Sequence, residues 1–121
     1  MREWIITGAF FAALGILIGA FGAHGLKTKI SSENLIVFEI GVRYHIYHAV
    51  GLILLGIIGF HYPNELINIS AYMFCLGIIL FSGSLYLLAF TNLRWLGAIT
   101  PIGGFCFILG WLILAFKIYR S

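Results

Sequence analysis

With 121 residues, the chain is sized for one domain. It is 62% apolar and 9% charged, against about 25% charged residues in soluble domains, which excludes a water-soluble globule and leaves an integral membrane protein. The net charge of +3 is spread along the chain; this suits contact with membrane lipids and excludes a nucleic-acid surface, which needs a clustered basic patch.

The first uncharged run, residues 4–23 of "MREWIITGAFFAALGILIGAFGAHG", holds 20 residues. That exceeds the roughly 7–15 apolar residues of a signal peptide and matches the roughly 20 of a transmembrane helix. It is read as mature sequence. Gly8, Ala12, Gly15, Gly19 and Ala23 recur at steps of three or four, and Gly15 and Gly19 form a GxxxG. Such a stripe lets helix backbones approach closely. It fits packing within the bundle, which is the expectation, or the seam of a homo-oligomer.

The connection that follows contains "SSENLIVFEIGVR". Ser31 or Ser32 is a suitable N-cap and Glu33 suits the positive end of a helix dipole. Leu35, Phe38 and Val42 recur at helical spacing, and Glu39 and Arg43 are an i,i+4 pair of opposite charge. A short amphipathic helix over about 32–43 is expected, lying at the interface or running into the next span. That second span covers about 44–62, the third 66–91 and the fourth 95–116. The fold class is therefore an all-α, antiparallel four-transmembrane-helix bundle, since long apolar runs satisfy their backbone in lipid only as helices. Pro101, near the start of the fourth span, is expected to remove one helix bond and bend the chain. Cys75 and Cys106 lie far apart in apolar runs and read as packing residues.

In an antiparallel path, the polar stretches "GAFGAHGL" (19–26), "RYHIYHAVG" (43–51), "FSGSLY" (81–86) and "LGAITPIGG" (96–104) fall in one half of the bilayer. This predicts a polar cluster of His24, Arg43, Tyr44, His45, Tyr47, His48, Ser82, Ser84, Tyr86 and Thr100, with Tyr44, Tyr47, His48 and Gly51 on one helix face. Ionisable groups inside membrane segments usually face the bundle interior. Three roles fit: hydrogen-bonding glue between helices, passage of a proton or small solute past His24 and His48, and haem or metal ligation by His24, His45 and His48. Ser82, Ser84 and His48 lack an acidic partner within the spans, which argues against a catalytic triad. Trp4, Tyr44, Tyr62, Trp95, Trp111 and Tyr119 read mostly as the aromatic belt, and His61 as interfacial.

Taken together, "GAFGAHGL", "YHIYHAVGL", "FSGSLYLLA" and "LGAITPIGG" resemble, in order, the motifs of the YgdD/YwdK-like family of small bacterial membrane proteins, whose function is unknown. The resemblance implies a multi-pass protein of the bacterial cytoplasmic membrane. It assigns Gly22, His24, Tyr47, His48, Ser82, Gly83, Ser84, Tyr86, Pro101, Gly103 and Gly104 to the family pattern. It also implies cytoplasmic termini, through a basic C-terminal tail that Lys117 and Arg120 match. The basic residues themselves are nearly balanced: Arg2, Lys117 and Arg120 on one side, Lys27, Lys29, Arg43 and Arg94 on the other.

The expected function is that of a non-enzymatic structural or accessory membrane component, acting alone, as a homo-oligomer or beside a larger membrane complex. No catalytic, cofactor or metal site is expected. The alternative is a small transporter or channel subunit; a haem- or metal-binding protein comes third.

Overall fold

The uncharged runs fold as four helices, each long and apolar enough to cross a bilayer. The computed structural model describes residues 1–121 apart from the side chain of Ala23, so the packing role expected of that residue lies outside the described residues. Helix α1 runs Arg2–Leu26 and closes in a π-helical turn at Gly22–Leu26. Helix α2 runs Ser32–His61, α3 runs Glu65–Thr91, and a 3₁₀ turn at Arg94–Ala98 leads into α4, Thr100–Tyr119. Consecutive helices are antiparallel.

Local chemistry explains the boundaries. The Ser31 hydroxyl caps α2 by accepting from the Asn34 amide at 3.1 Å, with Glu33 in the first turn. Asn64 caps α3 by accepting from the Leu66 amide at 2.8 Å. Asn92 ends α3 in the left-handed conformation, φ 59°, which asparagine tolerates better than most residues.

Residues 32–43 run straight into the next span, the second of the two courses expected, and form no separate interfacial element: they are the first part of α2, an unbroken helix of 30 residues. Nothing between residues 32 and 61 interrupts the backbone ladder, and Phe38 and Gly41 are buried against neighbouring spans. Pro101 does not kink a helix. It sits in the first α-helical turn of α4, after the 3₁₀ turn, where the missing amide donor would have had no helical partner.

The glycine stripe of α1 faces α2 along nearly the whole helix. Gly8 meets Ala49 and Ile53, Gly15 meets His45 and Ile46, Gly19 meets Val42 and Gly22 meets Phe38. Ala12 is half-buried on the same helix. A second contact of this kind joins α3 to α4. Gly77 packs on Phe107, Gly110 on Phe74, and Gly103 on the backbone of Phe81, with Gly104 beside the Phe81 ring. The main core, Trp4, Leu52, Leu55, Ile67, Ala71, Phe74, Ile78 and Phe107, fills the half of the bundle nearest the termini. Cys106 is buried and Cys75 half-buried, both as free thiols.

Helix α3 is not regular throughout. A π-helical turn at Ile78–Ser82 divides it. Before the turn, Ser70 and Gly77 face α4 and Phe74 packs between α2 and α4; after it, Ser82 and Ala89 face α2, while Ser84 reaches Thr100 at the start of α4.

A methyl group at Gly8 would lie 2.6 Å from the Ala49 carbonyl oxygen and 2.9 Å from the Ile53 amide, both backbone atoms of α2. Gly8→Ala is therefore expected to destabilise the bundle by about 1–3 kcal/mol, as overpacking does. At Gly83 an added methyl meets nothing within 4 Å, so Gly83→Ala is expected to be neutral or to stabilise by about 0.5–1 kcal/mol. Unfolding of both variants in detergent by titrated denaturant separates the two cases. A Gly8→Ala protein as stable as the parent would contradict the close α1–α2 approach.

Candidate functional site

The stretch "RYHIYHAVG" lies on α2, and its helical turn divides it into an inner and an outer half. His45 and His48 point inward and are 2% and 5% exposed. Arg43, Tyr44 and Tyr47 point outward and are exposed. The single shared face expected for Tyr44, Tyr47, His48 and Gly51 is thus split: His48 and Gly51 are buried, and the two tyrosines are not.

His45 sits between α1 and α3. Its Nε2 lies 2.8 Å from the Phe11 carbonyl oxygen, and its Nδ1 lies 2.8 Å from the Tyr86 hydroxyl. A carbonyl can only accept, so Nε2 carries the hydrogen; Nδ1 then accepts from Tyr86. Gly15 and Gly41 make room for the pair: a methyl at Gly15 would press on the His45 ring, and one at Gly41 on the Tyr86 ring.

His48 sits between α2 and α4 with the opposite tautomer. Its Nδ1 donates to the Tyr44 carbonyl at 2.8 Å, and its Nε2 accepts from the Trp111 indole N–H at 2.9 Å. The indole nitrogen has no capacity to accept, so this bond requires the unprotonated Nε2. The imidazole stacks on Phe107, with ring centres 3.6 Å apart and planes 10° apart, and meets the edge of Phe74 at 5.1 Å.

The remaining buried polar side chains also join helices. Ser82 donates to the Gly41 carbonyl at 2.7 Å, linking α3 to α2. Thr100 meets Ser84 at 2.6 Å, linking α4 to α3, while the Ser84 hydroxyl donates to the Phe81 carbonyl beside the π turn. Ser70 donates to the Gly110 carbonyl at 2.5 Å in the other half of the bundle. Asn34 donates to the Ala89 carbonyl and to the Asn92 side chain, each at 3.3 Å. Among the described residues, its Oδ1 is the one buried side-chain polar atom without a partner.

The structure therefore replaces one polar wall with separate bonded pairs. His45–Tyr86 and His48–Trp111 lie at mid-bundle, and Ser84–Thr100 nearer one end. His24 belongs to none of them: it is exposed in the closing turn of α1, nine residues or about 13 Å along the axis from Gly15, which marks the depth of His45. Glu39 and Arg43, expected to pair, form no salt bridge; among the described residues the only one joins the N-terminal amine to Glu3 at 3.1 Å.

Several partners were not expected. Trp111 is not a belt residue but the donor to His48, and Trp4 is buried, donating to Asn68 Oδ1 at 2.7 Å. The helical phase of Trp111 relative to Gly110 and Phe107 was the available signal, since all three lie on one side of α4. The Phe11, Gly41 and Gly110 carbonyls carry no signal in the sequence. Among the described residues, no three His, Cys, Asp or Glu side chains converge as metal ligands would. Chemically, the arrangement holds two neutral imidazoles with every ring nitrogen bonded.

Comparison with known proteins agrees with this architecture. Residues 18–104 match the family described as "Protein of unknown function (DUF423)". The chain belongs to that family. It is 46% identical over 120 residues to the UPF0382 membrane protein SH2409 of Staphylococcus haemolyticus, covering 99% of this chain and 98% of that one. It is 44% identical over 115 residues to the UPF0382 membrane protein YwdK of Bacillus subtilis, covering 94% of each. A UPF0382 membrane protein of Staphylococcus epidermidis is 47% identical over 114 residues, covering 94% and 93%. No solved structure matches. The family assignment makes this a multi-pass membrane protein with bacterial relatives, as the four spans require.

The paired imidazoles lead to a measurable outcome. Nitrogen-15 NMR of the protein in micelles is expected to show His45 protonated at Nε2 and His48 at Nδ1. A double-mutant cycle of His48→Phe and Trp111→Phe is expected to give a coupling of about 0.6–1.7 kcal/mol, the range for hydrogen bonds between membrane helices. Zero coupling would remove the bond from the account.

Proposed function

We propose that this protein is a non-enzymatic structural or accessory component of the bacterial cytoplasmic membrane, acting alone, as a homo-oligomer or beside a larger complex. One observation carries the reading: the polar side chains buried in the bundle bond to a specific acceptor or donor, most of them on a neighbouring helix, with Asn34 Oδ1 as the exception. Catalysis and solute passage both need groups free to bind something else, and His45 and His48 have no nitrogen to offer. The family resemblance, through the basic C-terminal pair Lys117 and Arg120, supports a cytoplasmic position for both termini.

Cysteine accessibility tests the reading. On a background with Cys75 and Cys106 replaced, Ser82→Cys and Ser84→Cys are expected to resist membrane-impermeant thiol reagents applied from either side. Reaction at either position would reveal a wet path through the bundle and favour a transporter or channel subunit. His48→Gln provides a second arm. It is expected to lower stability or assembly before any cellular defect appears; a stable, fully assembled His48→Gln protein that fails in cells would count against a packing role.

A further inference from the structure

Arg43, at the outer edge of "RYHIYHAVG", borders a cleft of about 160 Å³ between α1 and α2. Gly19 and Gly22 form one side of the cleft; Phe38, Glu39, Val42 and Arg43 form the other. The glycines open it: a methyl at Gly22 would strike the Phe38 ring, and one at Gly19 would press on Val42. Glu39 and Arg43 are exposed at its rim, carry opposite charges and pair neither with each other nor with any other described residue.

Their depth identifies the surroundings. Arg43 lies 18 residues from His61 at the far end of α2, or about 27 Å, close to the roughly 30 Å thickness of a hydrocarbon layer. A bilayer whose far hydrocarbon boundary is at His61 therefore has its other boundary at Arg43, at the base of the headgroup layer, from which a long arginine side chain reaches the phosphates. Glu39 is one turn further out, about 6 Å beyond Arg43, within the headgroup layer. Below Arg43 the same face continues through Val50, Leu54 and Ile57, all exposed and apolar.

From this geometry we propose that the α1–α2 cleft is a binding site for a phospholipid whose headgroup carries both a phosphodiester and an ammonium group. The guanidinium of Arg43 takes the phosphate, and the carboxylate of Glu39 takes the ammonium. The acyl chains lie along the apolar face toward the bilayer centre. The order of charges selects the occupant. In such a lipid the phosphate is nearer the hydrocarbon and the amine nearer the water, which is the order of Arg43 and Glu39 along α2. A headgroup with a phosphate but no amine leaves Glu39 facing an anion.

Native mass spectrometry of the detergent-purified protein, titrated with phosphatidylethanolamine and separately with phosphatidylglycerol of the same acyl chains, tests the site. The intact protein is expected to retain phosphatidylethanolamine about tenfold more tightly, in line with two charge-assisted contacts against one. Glu39→Gln is expected to abolish this preference while phosphatidylglycerol binding persists or improves. Arg43→Gln is expected to weaken both lipids, and Lys27→Gln, a charge removed outside the cleft, neither. Both target side chains are exposed, so unchanged thermal unfolding will show that the variants remain folded. Equal retention of the two lipids by the intact protein, or a preference that survives Glu39→Gln, would overturn the proposal. So would a dimer that Arg43→Gln dissociates without affecting lipid retention, because the pair would then serve self-association.

Discussion

Two helices in hydrocarbon gain nothing by hiding apolar surface from each other, because lipid tails are as apolar as leucine. Association then depends on how closely the backbones approach, and in this chain glycine sets that distance at the main crossings. Gly8, Gly15, Gly19 and Gly22 hold α1 against α2; Gly77, Gly103 and Gly110 hold α3 against α4. Aromatic rings occupy the space that glycine leaves: Phe38 over Gly22, Phe107 over Gly77, and Phe74 against both Gly51 and Gly110. The polar bonds follow from this packing. Only when backbones lie this close can a side chain on one helix reach a carbonyl on the next, as His45 reaches Phe11 and Ser82 reaches Gly41.

The two buried histidines show how position on a helix decides the state of an identical side chain. His45 and His48 are three residues apart, yet one is bonded toward α1 and α3 and the other toward α4. Each is held as one neutral tautomer by a backbone carbonyl, because a carbonyl offers no choice of direction. The second partners differ. The Tyr86 hydroxyl can turn to donate or accept, whereas the Trp111 indole can only donate. His48 is consequently the more tightly specified of the two, with an aromatic face stacked on Phe107 as well.

The four spans were legible because length and absence of charge alone identify a membrane helix; no detail of packing is needed. The ends were less so. The composition of residues 32–43 fits either an interfacial helix or the start of a span, and only the structure shows that the backbone continues; a π turn such as Ile78–Ser82 has no residue pattern of its own. Within the site, the residues with polar side chains were visible in "RYHIYHAVG" and "FSGSLY", while their acceptors were mostly carbonyls of apolar residues. His24 shows the opposite failure. Its sequence neighbourhood is rich in small residues like the packed part of α1, but the helix ends there and leaves its side chain outside. Trp111 was misread because a tryptophan in the second half of a span has the same composition signal whether it anchors at the headgroups or donates to a buried ring.

The π turn in α3 has a consequence for how this span tolerates change in chain length. Each residue in an α-helix rotates the chain by about 100°, and a π turn holds one residue more than the α ladder around it. Ser70 and Gly77, before the turn, look toward α4, and Ser82 and Ala89, after it, look toward α2. Deleting a single residue between Ile78 and Ser82 would let the ladder close regularly with the two halves still facing their neighbours, whereas deleting one in the regular part of the helix would swing one half by that angle relative to the other. The span thus has one place where its length can change by a residue without turning it; elsewhere such a change alters which neighbours it engages.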